Sequence, residues 1–267
     1  MVEIAEKLKK MGIGFQESSE DLSADHPVLV MIHGAGGQSQ IWRNQRRLSK
    51  KGIHTLALDM PGHGETKEPA KASIDSYAYW LCEQLHALFD HPVYLMGHSM
   101  GGAIVQEVAC IHPSPLSGMI LVGTGHRLRV SPAFLNGLKD NFEQTVDTLI
   151  RFAYTDNTDP TIIRAGAELM KVTGGPVVSG DFEACNCFEI GDKLKDIHIP
   201  CLIICGEEDK LTPPSLSKTL HDQINGSNLS IIPRAGHMVM IERPEAFNRC
   251  IADYYILNAH PPIGQTE

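Results

Sequence analysis

No run of about 18 consecutive apolar residues occurs in this chain, so nothing in it reads as a membrane-spanning helix. There is no collagen-like glycine period, no low-complexity block and no repeat of about 20 residues. Basic charge is scarce: 23 Lys and Arg stand against 32 Asp and Glu, a formal charge of −9. Nucleic-acid backbones are bound by clustered Lys and Arg. The only basic cluster, Arg43, Arg46, Arg47, Lys50 and Lys51, is spaced like the solvated outer face of a helix. Neither a nucleic acid nor a membrane is therefore expected as a partner. The start, MVEIAEKLKK, lacks the apolar core of a secretion signal. The seven cysteines are odd in number, and Cys185 and Cys187 form a C-x-C with no second pair at zinc spacing. Cys201 and Cys205 fall inside the apolar stretch IPCLIICG. All seven are expected to be reduced thiols of a cytoplasmic protein, with no metal and no cofactor.

What is present is an ordinary globular composition, 42% hydrophobic and 21% charged over 267 residues. Six short apolar runs punctuate it: PVLVMIHG (27–34), IHTLALD (53–59), VYLMG (93–97), SGMILVG (117–123), IPCLIICG (199–206) and NLSIIP (228–233). Strands apolar on both faces belong to a parallel sheet covered by helices. Helical patterns fall at 39–50, 73–89, 100–111, 213–224 and 244–257, with His112-Pro113 stopping the third. This order predicts an α/β fold with a mostly parallel, doubly wound sheet. Residues 11–18 are a candidate edge strand, the lysine-rich start is a candidate helix, and the tail AHPPIGQTE is expected to be loose.

One interruption breaks the alternation, from about 126 to 192. It holds helical patterns at 131–154 and 160–172, then a predicted turn at Gly174-Gly175-Pro176. An insertion after a central strand lands over the carboxyl edge of the sheet, where such sheets bind ligands. The expected organisation is a catalytic core of residues 1–125 and 193–267 with a helical lid of residues 126–192.

The sharpest motif is Gly97-His98-Ser99-Met100-Gly101-Gly102, where the strand VYLMG meets the helix MGGAIVQEVACIH. By composition, G-x-S-x-G arises by chance in roughly one such chain in eight, so the bare pattern is weak. The strand–turn–helix context is what makes it specific. A serine hydroxyl needs a base to become a nucleophile, and the order expected for this elbow is Ser, acid, His. CGEEDKLTPP supplies Asp209 after the fifth run, and PRAGHMVMIERPE supplies His237 after the sixth. Glu207 and Glu208 compete with Asp209 as the acid, but Asp209 directly precedes the turn into the next helix. His98, beside the serine, is expected to line the pocket with Gly34. In His33-Gly34-Ala35-Gly36-Gly37, small residues let backbone N–H groups turn toward one point, and the Ala35 and Met100 amides are the candidate oxyanion hole. A phosphate loop and a dinucleotide fingerprint are both excluded by the residues after Gly37.

HGAGG at 33–37, DMPGHGET at 59–66, GHSMGG at 97–102, GEEDKLTPP at 206–214 and AGHMVMIERPE at 235–245 together resemble the α/β-hydrolase fold family, over residues 27–257. The resemblance implies a Ser99–His237–Asp209 triad, an acyl-enzyme intermediate and no cofactor. Epoxide hydrolases and haloalkane dehalogenases of this fold usually carry Asp at the Ser99 position, so neither activity is implied. The N-terminal hairpin usual in the family is not evident before Pro27, which implies a shortened or altered sheet edge.

Substrate is less legible. In the insertion, Phe134, Leu135, Leu138, Phe142, Phe152, Leu169, Met170 and Phe182 supply apolar surface. It packs on the insertion's own core or lines an acyl pocket. Phe134, Leu138, Phe142, Met170 and Met238 are the candidates for that pocket, which suits small to medium esters. Three functions stay open: a carboxylic ester hydrolase (carboxylesterase), a carbon–carbon bond hydrolase of ring-cleavage dienoates, and a noncatalytic ligand sensor. The second needs a cationic clamp, for which His126, Arg127, Arg129 and Arg164 are candidates. A small-molecule ester is the expected partner, and the chain fits a monomer or a homodimer. A histidine base must be neutral to accept a proton, so activity should fall on acidification through the histidine range. A flat rate profile from about pH 5 to 8 would count against His237 as base.

Overall fold

The computed structural model describes residues 2–18, 28–91, 93–111 and 116–259. The helix α1 (Val2–Met11) leads into a short strand β1 (Phe15–Glu17), and then into β2 (Val28–Ile32) and β3 (His54–Leu58). Helix α2 (Ile74–Leu88), strand β4 (Val93–His98), helix α3 (Met100–Ile111) and strand β5 (Leu116–Val122) follow. Four consecutive helices then intervene: α4 (Pro132–Asp140), α5 (Phe142–Ala153), α6 (Pro160–Thr173) and α7 (Gly175–Cys187). Strand β6 (Cys201–Gly206), helix α8 (Pro214–Gln223), strand β7 (Asn228–Ile232), helix α9 (Val239–Glu242) and helix α10 (Pro244–Ala259) complete the described residues. No helix among the described residues is long and apolar enough to cross a membrane.

The strands form one sheet in the order β1-β3-β2-β4-β5-β6-β7. Every pairing is parallel except β1 with β3. Alternation along each strand divides the core in two. Val28, Val30 and Ile32 of β2 and Leu95 of β4 face α2 and α3, packing with Tyr77, Leu81, Ile104 and Val108. Leu29, Met31 and Met96 face the opposite side, against Trp42 and the α10 residues Phe247 and Ile251. Parallel strands all end at one edge, so the loops after β2, β4, β6 and β7 meet there.

Several local expectations change. The segment 39–50 is not one α-helix but two 3-10 segments, Ser39–Trp42 and Gln45–Lys51. Its wholly buried residues, Trp42, Gln45 and Leu48, recur every third position. That spacing stacks on one face only when the helix is tightened to three residues per turn. Gln45 Nε2 anchors the segment by donating to the Met240 carbonyl at 3.2 Å and to Asn248 Oδ1 at 3.1 Å. The pattern at 131–154 breaks at Asn141, whose φ of −142° and ψ of 60° end α4 and let α5 fold back. Gly137 permits the close return: a Cβ there would lie 2.6 Å from Thr145 Oγ1. The turn expected at 174–176 is confined to Gly174, with φ 93°. Gly175 and Pro176 instead open α7, as a first helical turn allows. Strand β7 is an edge strand, and among its residues only Ile232 is fully buried. At the other edge the candidate strand 11–18 is a strand only over Phe15–Glu17, because α1 runs through Met11. His112-Pro113, residues 19–27 and the tail beyond Ala259 lie outside the described residues.

Candidate active site

Ser99 occupies the single position between β4 and α3, with φ at +53°. This left-handed conformation is uncommon for any residue but glycine, and it persists only where neighbours hold it. Here Ser99 N donates to the Val122 carbonyl at 2.9 Å. The Ser99 carbonyl accepts from Ala103 N at 3.1 Å and from Thr124 Oγ1 at 2.9 Å. The turn closes so tightly that a Cβ on Gly97 would lie 2.1 Å from the Gly101 carbonyl oxygen. Ser99 is half-buried and lines a cavity of about 650 Å³.

His237 and Asp209 reach the same place from the loops after β7 and β6. Glu207 and Glu208 are exposed, whereas Asp209 is turned inward and buried. His237 Nδ1–H donates to Asp209 Oδ2 at 2.9 Å. Asp209 Oδ1 accepts from the backbone N–H groups of Leu211 at 2.9 Å and Thr212 at 2.8 Å. Burial alone would raise the Asp209 pKa. The His237 charge and hydrogen bond, then the Thr212 N–H and hydroxyl, outweigh it and hold the carboxyl below its ordinary value. The contribution of this pair to stability is present above the ordinary carboxylate range and is lost as pH falls through the lowered value.

Thr212 is a site residue that motif reading missed. Its hydroxyl donates to Asp209 Oδ2 at 2.8 Å and lies 3.0 Å from His237 Nδ1. The available signal was a threonine three residues after the acid, a spacing at which an aspartate binds backbone and hydroxyl together.

His98 lines the cavity, and its Nε2–H donates to the His237 carbonyl at 3.1 Å. Burial and then the neighbouring His237 push the His98 pKa down to about 3, so it stays a neutral strut. Gly34 brings the loop after β2 against the elbow: a Cβ there would lie 3.2 Å from Ser99 Cβ. Ala35 lines the cavity. The Met100 side chain is buried in the core, so Met100 can act only through its N–H, the first of α3 and without an intrahelical acceptor.

Phe134, Met170 and Met238 also line the cavity. Leu138 and Phe142 do not. Leu138 is buried among Val146, Tyr154 and Val178, and Phe142 packs against that cluster. The two residues lie on different helices, α4 and α5, and both close the core of α4–α7. The cavity wall comes instead from residues such as Leu149, Ile162 and Leu169. Of the cationic candidates, Arg127 and Arg129 line the cavity and Arg164 does not. Arg129 is engaged by Glu189 and by the Asn186 carbonyl.

The family model for the alpha/beta hydrolase fold matches residues 27–244. The chain belongs to the α/β-hydrolase fold family. Among curated relatives of this hydrolase is the (E)-2-((N-methylformamido)methylene)succinate hydrolase of Acinetobacter baylyi, 28% identical over 84% of this chain and 88% of the relative. The pimeloyl-[acyl-carrier protein] methyl ester esterase of Yersinia enterocolitica is 24% identical over 85% of this chain and 92% of its own. A solved thermophilic esterase superposes with a TM-score of 0.78 at 30% identity, covering 91% of this chain and 98% of that one.

The position of Thr212 leads to a direct expectation. In this hydrolase, Thr212→Val keeps the side-chain shape and removes one hydrogen bond to a charged acceptor, worth about 1.5–3 kcal/mol. The kcat should fall roughly 10- to 100-fold, with Thr212→Ser restoring most of it. Steady-state kinetics check this, and a wild-type rate in Thr212→Val would remove Thr212 from the site.

Proposed function

We propose that this hydrolase cleaves carboxylic esters of small to medium acyl groups through Ser99, His237 and Asp209. The observation that carries the reading is geometric. A serine on a left-handed elbow shares one cavity with a histidine whose Nδ1–H is bonded to a buried aspartate. Ser99 Oγ attacks the ester carbonyl while His237 Nε2 takes its proton. Asp209 holds the ring tautomer and stabilises the imidazolium. The Ala35 and Met100 amides receive the oxyanion, and each such donor is worth about 3–4 kcal/mol in the transition state. His237 then protonates the departing alcohol, and water repeats the sequence on the acyl-enzyme. No step calls on a metal or an organic cofactor. Phe134, Met170 and Met238 supply acyl contacts, and the helices of residues 126–192 act as a lid over the core of residues 1–125 and 193–267.

A second reading is cleavage of a carbon–carbon bond in a ring-cleavage dienoate. It is favoured by Arg127 at the cavity, where a cation would meet the substrate carboxylate. It is weakened by Arg129, already committed to Glu189 and Asn186.

Nitrophenyl esters of increasing acyl length, beside a dienoate ketone, separate these. Ester turnover should peak at short to medium chains and fall by roughly three orders of magnitude or more in Ser99→Ala. A preference for acyl chains beyond about twelve carbons would sink the small-ester version. Turnover of the dienoate alone would transfer the assignment to the second reading, and binding without turnover of either would make the protein a sensor.

A further inference from the structure

A second carboxylate–histidine pair lies outside the proposed triad, and the chemistry above does not use it. Asp181, on α7, is fully buried. Its Oδ2 accepts from His63 Nε2 at 2.8 Å and from the Gly36 backbone N–H at 2.8 Å. Its Oδ1 accepts from the Tyr77 hydroxyl at 3.0 Å. His63 Nδ1 faces the Pro61 carbonyl at 3.0 Å. Both ring nitrogens of His63 therefore face acceptors, which only the doubly protonated imidazolium satisfies. Burial works against that cation, but the Asp181 hydrogen bond and charge outweigh it and raise the His63 pKa. Asp59, His33, Tyr77 and Cys185 are the other ionisable groups facing this pair. His33 stays neutral, lowered to about 4 by burial and then by His63.

A buried carboxylate is costly unless paired and hydrogen-bonded. This one also interrupts the apolar inner face of α7. What it holds is the peptide next to Ala35. Gly36 sits at φ +62°. Its N–H is taken by Asp181 on α7, and its carbonyl accepts from Thr173 Oγ1 at the end of α6, at 3.0 Å. A Cβ on Gly36 would lie 2.9 Å from Met170 Cγ and 3.0 Å from Val178 Cγ2, so the same two helices roof the loop. From below, the Gly34 carbonyl accepts from His33 Nδ1 at 2.9 Å and from Gly37 N at 3.0 Å. None of the described residues accepts the Ala35 N–H.

We infer that the Asp181–His63 ion pair is a positioning device, which fixes the Gly36 peptide and so aims the Ala35 N–H at the oxygen of the tetrahedral intermediate. The inference rests on the reading of Ala35 as an oxyanion donor. It makes Asp181 and His63 positioning residues and ties transition-state stabilisation to the helices of the insertion. The ground-state carbonyl does not need the aimed donor, so loss of the pair acts on kcat and not on KM.

The test uses the full chain with Asp181→Asn and His63→Gln, active sites being counted by a fluorophosphonate. Asp181→Asn should lower kcat per counted site by roughly 10- to 100-fold, with KM changed less than about 3-fold. Affinity for a trifluoromethyl ketone of the same acyl chain, whose adduct carries an oxyanion, should fall by the same factor as kcat/KM. Tyr77→Phe keeps the ion pair and should cost only a few-fold. A lowered melting temperature with kcat per site and ketone affinity unchanged would make the pair purely structural and overturn the proposal. If Asp181→Asn fails to fold, His63→Gln, which also breaks the ion pair, carries the same expectation, and an unchanged kcat per site there overturns the proposal equally. Wild-type protein that neither turned over esters nor bound the ketone would overturn the esterase reading beneath it, a failure distinct from that of the variants.

Discussion

The left-handed peptide at Ser99 is the constraint on which the rest of the site depends. A non-glycine residue at φ +53° costs about 1–2 kcal/mol. That cost is offset by the Val122 carbonyl and by the Ala103 and Thr124 donors, which come from the adjoining strand, the following helix and the loop after β5. The absence of any loop between β4 and α3 puts the serine at the carboxyl edge of the sheet. Neighbouring turns then crowd against it. Gly123, at the end of β5, leaves so little room that a Cβ there would lie 3.3 Å from His237 Nδ1 and 3.4 Å from Asp209 Oδ2. The shape of the sheet edge thus sets the approach of acid and base.

The burial of charge follows a consistent division. His33 and His98 are buried and held neutral; His33 spends both ring nitrogens on backbone groups, and His98 spends its Nε2 on one. Their role is to brace the loop after β2 and the loop carrying His237. The carboxylates of Asp181 and Asp209 are buried too, but each sits against a histidine that can carry positive charge. One pair would cycle its proton in the proposed reaction, while the other would hold a loop. The cavity beside Ser99 and His237 is walled mostly by apolar side chains, so in the proposed reaction a charge developing on substrate would meet oriented amides.

How much of this was legible in the sequence differs by kind of residue. Continuous apolar runs such as VLVMI and CLIICG could bury both faces only in a parallel sheet, and they mapped onto β2 and β6. Asp209 could be preferred over Glu207 and Glu208 because it alone precedes the turn into α8. Side-chain partners formed after folding left no periodic trace. Thr212 reads as a turn residue until its hydroxyl meets Asp209. Leu138 and Phe142 carry the right apolarity, but only the return of α5 onto α4 decides that they face a core and not the cavity. Helix α7 escaped notice because Asp181 occupies its inner face and breaks the stripe that pattern reading requires. The failure at α7 arises where a buried polar group replaces a simple apolar face.

The central claim is that Ser99 forms a covalent bond with the acyl group. Its most direct measurement is peptide mass mapping of the protein after a short exposure to a nitrophenyl ester or a fluorophosphonate. The proposed chemistry predicts a single adduct on the peptide containing Gly97-His98-Ser99-Met100-Gly101, absent in Ser99→Ala. An adduct on another residue, or turnover with no adduct trapped on Ser99 by either reagent, would contradict it.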